Sequence, residues 1–163
     1  MTSTTSLPHT VLLSALSPDL ISVNAPISSA KKLLEEMARI LTLALDDEVR
    51  EKDIYHQLLE REKLGNTGVG NGVALPHSRC EFATTAVVAI ITLETPVDYD
   101  SSDKQDVDLA FGLLVPKDAS QEHLNLLANI ARLMSDKNKK QKIIDSGSPQ
   151  EIISLISSWS IDG

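Results

Sequence analysis

The sequence predicts an α/β domain in which helices cover both faces of a buried β-sheet. Two stretches, Thr85 to Leu93 and Val107 to Val115, are nearly continuously apolar and rich in β-branched residues, as in strands buried on both faces. Segments in which apolar residues recur at helical spacing lie before and after them. Because helices and strands interleave along 163 residues, we expect a single domain over residues 11–163, behind a flexible tail of residues 1–10.

The composition narrows the classes of function. Apolar residues make up 42% of the chain, enough for a core, and no apolar run reaches the length of about 18 residues that predicts a membrane helix. A net charge of −8 and 3% aromatic residues argue against nucleic-acid binding. The single cysteine cannot form an internal disulfide, and the first ten residues do not resemble a secretory signal. We therefore expect a cytoplasmic protein without membrane insertion.

The N-terminal half predicts two helices. Residues 11–23 mix short apolar runs with a proline and are interpreted as a strand or turn that leads inward. From Ile27 onward the apolar spacing predicts a first helix, and a second follows it. The candidate N-caps of these two helices are Ser28 or Ser29 for the first and Asp46 or Asp47 for the second.

The C-terminal third predicts two more helices, each with a capping box. Asp118, with Gln121 three residues later, precedes a helix of apolar period. Ser148 is followed by a proline at the first helical position and by Glu151 three residues after the cap, which is typical of a helix start.

Glycine is concentrated between residues 65 and 72, where four of the chain's seven glycines lie. The cluster lacks the Lys-Ser/Thr pair of a phosphate-binding Walker loop, and it precedes a strand-like segment where a dinucleotide-binding motif would open a helix. Two interpretations stay open. The glycines either supply positive φ angles in a plain loop, or let the backbone approach a ligand closely.

Of the four histidines, His77 has the most suggestive context. Pro76 precedes it at the end of a short apolar segment, which would hold the imidazole on a fixed backbone as a nucleophile or ligand. The other three have structural explanations: His9 lies in the expected tail, His56 on a solvated or half-buried helix face, and His123 near a helix start.

Other chemistries lack their motifs. A metal site from His77, His123 and an aspartate has no recognisable ligand spacing. Ser78 is not in a nucleophile elbow, and Cys80 has no nucleophile motif. Arg61 lies in a charged stretch that is typical of a solvated helix end, from which it could also reach an anion bound at the glycine loop.

The run from Arg61 to His77, REKLGNTGVGNGVALPH, resembles the active-site signature of phosphotransferase-system IIA domains of the fructose/mannitol class. Its REK-G segment, and the LETP segment further on, are most similar to the nitrogen-related branch of regulatory IIA proteins. The resemblance implies one IIA domain with a mixed sheet sandwiched between helices. It covers roughly residues 11–157 and continues through Leu93–Val97, Val107–Leu109, Leu114–Pro116 and His123–Leu124.

The resemblance implies a role for three side chains. His77 would accept a phosphoryl group on Nε2 from an HPr-like carrier that bears phosphohistidine. His123 matches the second active-site histidine, and Arg61 the arginine that helps hold the phosphoryl group. A neutral imidazole has a free lone pair for this attack, so no metal or cofactor is expected.

Backbone N–H groups of Gly70, Asn71 and Gly72 could add donors to the phosphoryl oxygens. One residue departs from the branch: Ser78 stands where glycine commonly follows the active histidine. Its hydroxyl could bind the phosphoryl group or crowd a docking partner.

The sequence therefore predicts a phosphoryl-accepting protein that acts mainly as a regulator in the nitrogen-related system. Phosphorylation of His77 would control its binding to target proteins, such as potassium transport or sensor proteins. One alternative is a sugar-specific IIA component that passes its phosphoryl group to a separate IIB unit. The other is a non-phosphorylated anion- or nucleotide-binding module that uses the glycine loop. The oligomeric state is left open.

Overall fold

The structure, a computed structural model, describes residues 8–161. Within that range, no helix combines the length and the apolar character that a membrane span needs. Its elements in chain order are α1 Pro8–Ala15, a 3-10 turn Pro18–Leu20, β1 Ile21–Ala25, α2 Ala30–Thr42, α3 Glu51–Leu64, β2 Gly68–Gly70, β3 Val73–Ala74, β4 His77–Cys80, β5 Val87–Val97, β6 Val107–Pro116, α4 Gln121–Met134, α5 Lys137–Ile144 and α6 Pro149–Ile161.

These strands form one mixed sheet with β5 and β6 at its centre. The two central strands are antiparallel, and β1 pairs in parallel with the outer edge of β5. The other edge of β6 carries β3 and β4 end to end, both parallel to it, and β2 pairs antiparallel with β3. The predicted apolar strands are β5 and β6. Their residues are buried except Glu94, Thr95 and Pro96 of β5, which are exposed, and Asp108 of β6, which is half-buried.

Helices cover both faces of the sheet, as the sequence predicts. Because successive side chains of a strand point to opposite faces, Ala110 and Leu114 of β6 pack with α2 and α3, whereas Phe111 and Leu113 pack with α1, α4 and α6. The two clusters make one α/β domain with a core on each side of the sheet.

Two of the predicted helix caps are confirmed. The hydroxyl of Ser29 accepts a hydrogen bond from the backbone N–H of Lys32 at 3.2 Å, at the start of α2. At α6 the hydroxyl of Ser148 accepts from the N–H of Glu151 at 3.2 Å. The Glu151 carboxylate accepts in turn from the N–H of Gly147 at 3.0 Å.

The other two predicted caps are wrong, because local turns precede these helices. The backbone carbonyl of Asp46 accepts from the N–H of Val49 in a turn, so neither Asp46 nor Asp47 caps the helix, and α3 begins later, at Glu51, without a side-chain cap. Asp118 lies in the turn that the Ala119 N–H closes onto the carbonyl of Pro116, so α4 begins at Gln121.

The N-terminal segment differs most from the prediction. Residues 11–23 do not form one strand or turn: α1 ends at Ala15, the 3-10 turn starts at Pro18 with Ser17 as its cap, and β1 follows. Helix α1 begins at Pro8, inside the expected tail. Residues 1–7 and the side chain of His9 lie outside the described part of the chain.

Candidate functional site

The local backbone positions the His77 ring. Pro76 interrupts the line of β3 and β4, and His77 opens β4 opposite Leu113 of β6. The ring nitrogen Nδ1 lies 2.7 Å from the carbonyl oxygen of Leu75. Because a carbonyl can only accept, Nδ1 carries the proton, and the Nε2 lone pair is free in the neutral ring.

Burial keeps this ring neutral. It lowers the pKa of His77 below the ordinary value of 6.5, and the positive charge of Arg61 lowers it further. The hydrogen bond to Leu75 and the charge of Glu62 act in the opposite direction. Near neutral pH, His77 is therefore a neutral imidazole with a nucleophilic Nε2.

His77 lines a cavity of about 660 Å³ that lies between α3 and α4, beside β4. Its side chain is half-buried, and the cavity wall behind it is apolar. The lining residues are His56, Gln57, Glu60, Arg61 and Leu64 of α3, His77, Ser78 and Arg79 of β4, Leu113 and Val115 of β6, and Leu124 and Leu127 of α4.

Arg61 reaches this cavity from the last turn of α3. Its Nη1 donates to the carbonyl oxygen of Gly65 at 2.7 Å, which ties the side chain to the end of its own helix. No carboxylate lies within 4.0 Å of the guanidinium among the residues that the structure describes. Arg61 can therefore direct its positive charge at an anion beside His77.

A buried network behind Arg61 was not predicted from the sequence. The Glu62 carboxylate accepts from the N–H of Thr67 at 3.0 Å and also from the Thr67 hydroxyl. That hydroxyl lies 3.0 Å from the hydroxyl of Tyr99, and burial raises the pKa of Tyr99. These bonds join the end of α3 to the chain before β2. No local sequence pattern predicts this network. Glu62 lies in a charged stretch that is typical of a solvated helix end, and Tyr99 is 32 residues from Thr67 in the chain.

His123 lies beside the cavity but does not line it. It is in the first turn of α4, where its Nδ1 lies 3.3 Å from the hydroxyl of Ser120. The next residue, Leu124, does line the cavity. The structure thus brings Arg61 and His77 to one cavity and leaves His123 at its margin.

The glycine turn pairs with a different part of β6 than His77 does, and donation from the N–H groups of Gly70, Asn71 and Gly72 to a phosphoryl group stays a prediction. The carbonyl of Gly72 accepts from Asp108 and Leu109, near the start of β6, whereas His77 pairs with Leu113. Four to five strand residues separate the two levels, which is about 15 Å.

Packing explains the glycine turn. Gly70 and Gly72 have φ angles of 93° and 76°, in the region that favours glycine. Asn71 donates from Nδ2 to the carbonyl of Met134 at 3.1 Å. A Cβ on Gly72 would lie 3.0 Å from Nζ of Lys140 and 3.1 Å from a carboxylate oxygen of Asp108, two groups that form an ion pair at 2.6 Å, so side chains already fill the space beside this turn.

Ser78 and Cys80, one and three residues after His77, have separate surroundings. Ser78 lines the cavity, and its hydroxyl donates to the carbonyl of Arg79 at 2.8 Å. Cys80 is buried, and burial raises the pKa of its thiol. A raised pKa disfavours the thiolate, so Cys80 is unsuited to act as a nucleophile.

Comparison with known proteins shows to which family this chain belongs. Residues 14–159 match the family described as "Phosphoenolpyruvate-dependent sugar phosphotransferase system, EIIA 2". The chain belongs to this family. Among relatives of this EIIA 2 chain, a nitrogen regulatory protein of Pseudomonas aeruginosa is 36% identical over 141 residues, which cover 86% of this chain and 91% of that protein. The resemblance found in the sequence is thus confirmed.

Solved structures of the family share the fold. The nitrogen regulatory protein IIA-Ntr from Neisseria meningitidis superposes with a TM-score of 0.83 and 33% identity, covering 89% of this chain and 98% of that one. IIA mannitol from Escherichia coli gives a TM-score of 0.71 at 17% identity, covering 86% and 98%, and shows likeness of fold alone. The mixed sheet between helices is the fold of these EIIA proteins.

Proposed function

We propose that this chain is a phosphoryl-accepting regulatory protein of the nitrogen-related phosphotransferase system, acting in the cytoplasm. Nε2 of His77 would receive the phosphoryl group from an HPr-like carrier that bears phosphohistidine. The observation that carries this proposal is the 2.7 Å hydrogen bond from His77 Nδ1 to the Leu75 carbonyl. It leaves Nε2 as the reactive nitrogen of a neutral ring beside an open cavity. The similarity to nitrogen regulatory proteins supports the branch.

The transfer step exchanges one nitrogen–phosphorus bond for another. The Nε2 lone pair of His77 forms a bond to phosphorus while the bond from phosphorus to the carrier's ring nitrogen breaks, and that electron pair returns to the carrier's imidazole. With the carrier's phosphohistidine protonated on its other ring nitrogen, the leaving group is a neutral imidazole. His77 keeps its proton on Nδ1, so the step needs no net proton transfer. Arg61 would stabilise the charge on the equatorial oxygens.

The cavity suits a protein donor. Leu124 and Leu127, which line it, are half-buried, and Leu64 at the end of α3 is 85% exposed. Exposed apolar residues around a reactive group are typical of an interface core, and Arg61 and Arg79 add positive charge for a phosphorylated partner.

Phosphorylation would act as the regulatory signal. A phosphoryl group adds a charge of about −1.5 to −2 at neutral pH. On His77 this charge would face the apolar cavity wall and change which proteins can dock there. The targets would be regulatory proteins, such as potassium transport or sensor proteins.

The proposal is tested by incubating the chain with the carrier, its phosphodonor enzyme and labelled phosphoenolpyruvate. We expect one phosphoryl group per chain, labile in acid and stable in alkali, and none on His77→Ala. His56→Ala is the matched control, because His56 lines the same cavity and should leave labelling intact. Labelling that persists in His77→Ala would overturn the assignment.

A sugar-specific IIA component remains the second candidate, because the family description names a sugar phosphotransferase system. In that case the phosphorylated chain would pass its group to a separate IIB unit. Sugar phosphorylation that depends on this chain, in the presence of IIB and IIC units, would favour the second candidate over the regulatory one.

A further inference from the structure

Gln57 lies on the face of α3 that meets the cavity. It precedes Arg61 by four residues, so the two side chains are neighbours on the helix surface. Both line the cavity that contains His77. The sequence alone predicts only a solvated or half-buried helix face for this stretch of α3.

The two ends of the Gln57 carboxamide have different surroundings. Oε1 is buried and has no hydrogen-bond partner among the described residues. Nε2 is not one of the buried unpaired atoms, so the donor end of this cavity-lining side chain is the accessible one. Because Oε1 can only accept, a phosphoryl oxygen cannot bond it, and the Nε2 end is the one that can meet an anion in the cavity.

This inference rests on the proposed phosphorylation of His77. We propose that Gln57 is a further ligand of the phosphoryl group, donating an N–H of its carboxamide to an equatorial oxygen. Phosphoryl oxygens accept hydrogen bonds, and the neighbouring Glu60 carboxylate cannot donate one. Arg61 supplies positive charge, whereas Gln57 supplies a neutral donor from the preceding turn of the same helix. The carboxamide orients the phosphoryl group without adding charge to the cavity.

The decisive variant is Gln57→Glu, which keeps the shape and replaces the donor by a carboxylate. We expect the single-turnover rate of phosphoryl gain at saturating carrier to fall at least about tenfold, with little change in the carrier concentration at half-saturation. Rates are compared with the wild type at each pH, and the ratio of the two should approach one as the new carboxylate is protonated.

Gln150→Glu is the matched control, because it adds the same charge at an exposed position of α6, outside the cavity lining. It should transfer like the wild type. Gln57→Met, which removes the donor without adding charge, should also slow transfer, and it tests the inference even if Gln57→Glu does not fold.

The outcomes separate the two proposals. A wild-type chain that gains no phosphoryl group would overturn the proposed function and this inference with it. A wild-type chain that is labelled on His77, with folded Gln57 variants that match the Gln150→Glu control in rate, would overturn the role of Gln57 alone.

Discussion

The hydrogen bond between His77 and the Leu75 carbonyl selects one ring nitrogen for chemistry. A neutral imidazole can react through either nitrogen until one of them is occupied, and here Nδ1 is occupied at 2.7 Å. The motif drew attention to His77, but the tautomer follows from the bend of the backbone at Pro76. That bend is visible only in the structure.

At this scale we expect His77 to titrate below 6.5, because burial opposes its charged form. The unfolded chain would bind the proton more tightly than the folded one. The free energy of unfolding should therefore fall as the pH drops through 6.5. The contribution of His77 to this fall ends once the pH is below the pKa of His77 in the folded chain. Following the ring protons of His77 by NMR measures the midpoint. A midpoint above 6.5 would contradict the burial argument.

Arg61 tests the electrostatic part of the site. We expect Arg61→Ala to slow phosphoryl gain by on the order of tenfold or more, because the positive charge beside the phosphoryl oxygens is lost. Lys63→Ala is the control, since Lys63 lies in the same last turn and forms an exposed ion pair with Glu60 at 3.0 Å. Equal rates for the two variants would make Arg61 an ordinary helix-end residue.

At the scale of elements, the sequence patterns predicted the strands and helix caps that interactions between neighbouring residues determine. Continuous β-branched apolar runs became β5 and β6, and Ser29 and Ser148 cap the helices that their patterns indicated. The wrong caps failed where turns compete with a helix start, as at Asp46. Helix α5 was not predicted, because its lysine-rich sequence buries only Ile143.

The cap of α2 offers a matched pair of adjacent serines. We expect Ser29→Ala to lower the free energy of unfolding by about 1 kcal/mol, because the N–H of Lys32 loses its acceptor. Ser28→Ala, at an exposed position one residue earlier, should change it by less than about 0.5 kcal/mol. Urea denaturation measures both, and a larger effect at Ser28 would contradict the cap assignment.

At the scale of the molecule, the sheet register decides which parts of the motif meet. Arg61 and His77 are 16 positions apart in the sequence, yet α3 and β4 bring both to one cavity. Gly72 is five positions from His77, yet an extended chain carries it to the far end of β6. Sequence proximity is therefore a poor guide to spatial proximity within this motif. Long-range contacts, such as that of Thr67 with Tyr99, leave no local pattern.

Gly72 tests this separation. We expect Gly72→Ala to lower the free energy of unfolding by about 1–2 kcal/mol, because a residue with a Cβ is strained at the φ of 76° that Gly72 adopts. Phosphoryl gain by the folded variant should be unchanged, since the turn lies about 15 Å along the sheet from His77. Gly147→Ala is the control, because a Cβ there meets nothing within 4 Å. Slower phosphoryl transfer in folded Gly72→Ala would show that the glycine turn contributes to the site.

The most direct test of the account is the position of phosphorus on the His77 ring. The chain, labelled with ¹⁵N in its histidines and phosphorylated by the carrier, should show ¹⁵N–³¹P coupling at Nε2 of His77, with Nδ1 still protonated. Phosphorus on Nδ1, or on a histidine other than His77, would contradict it.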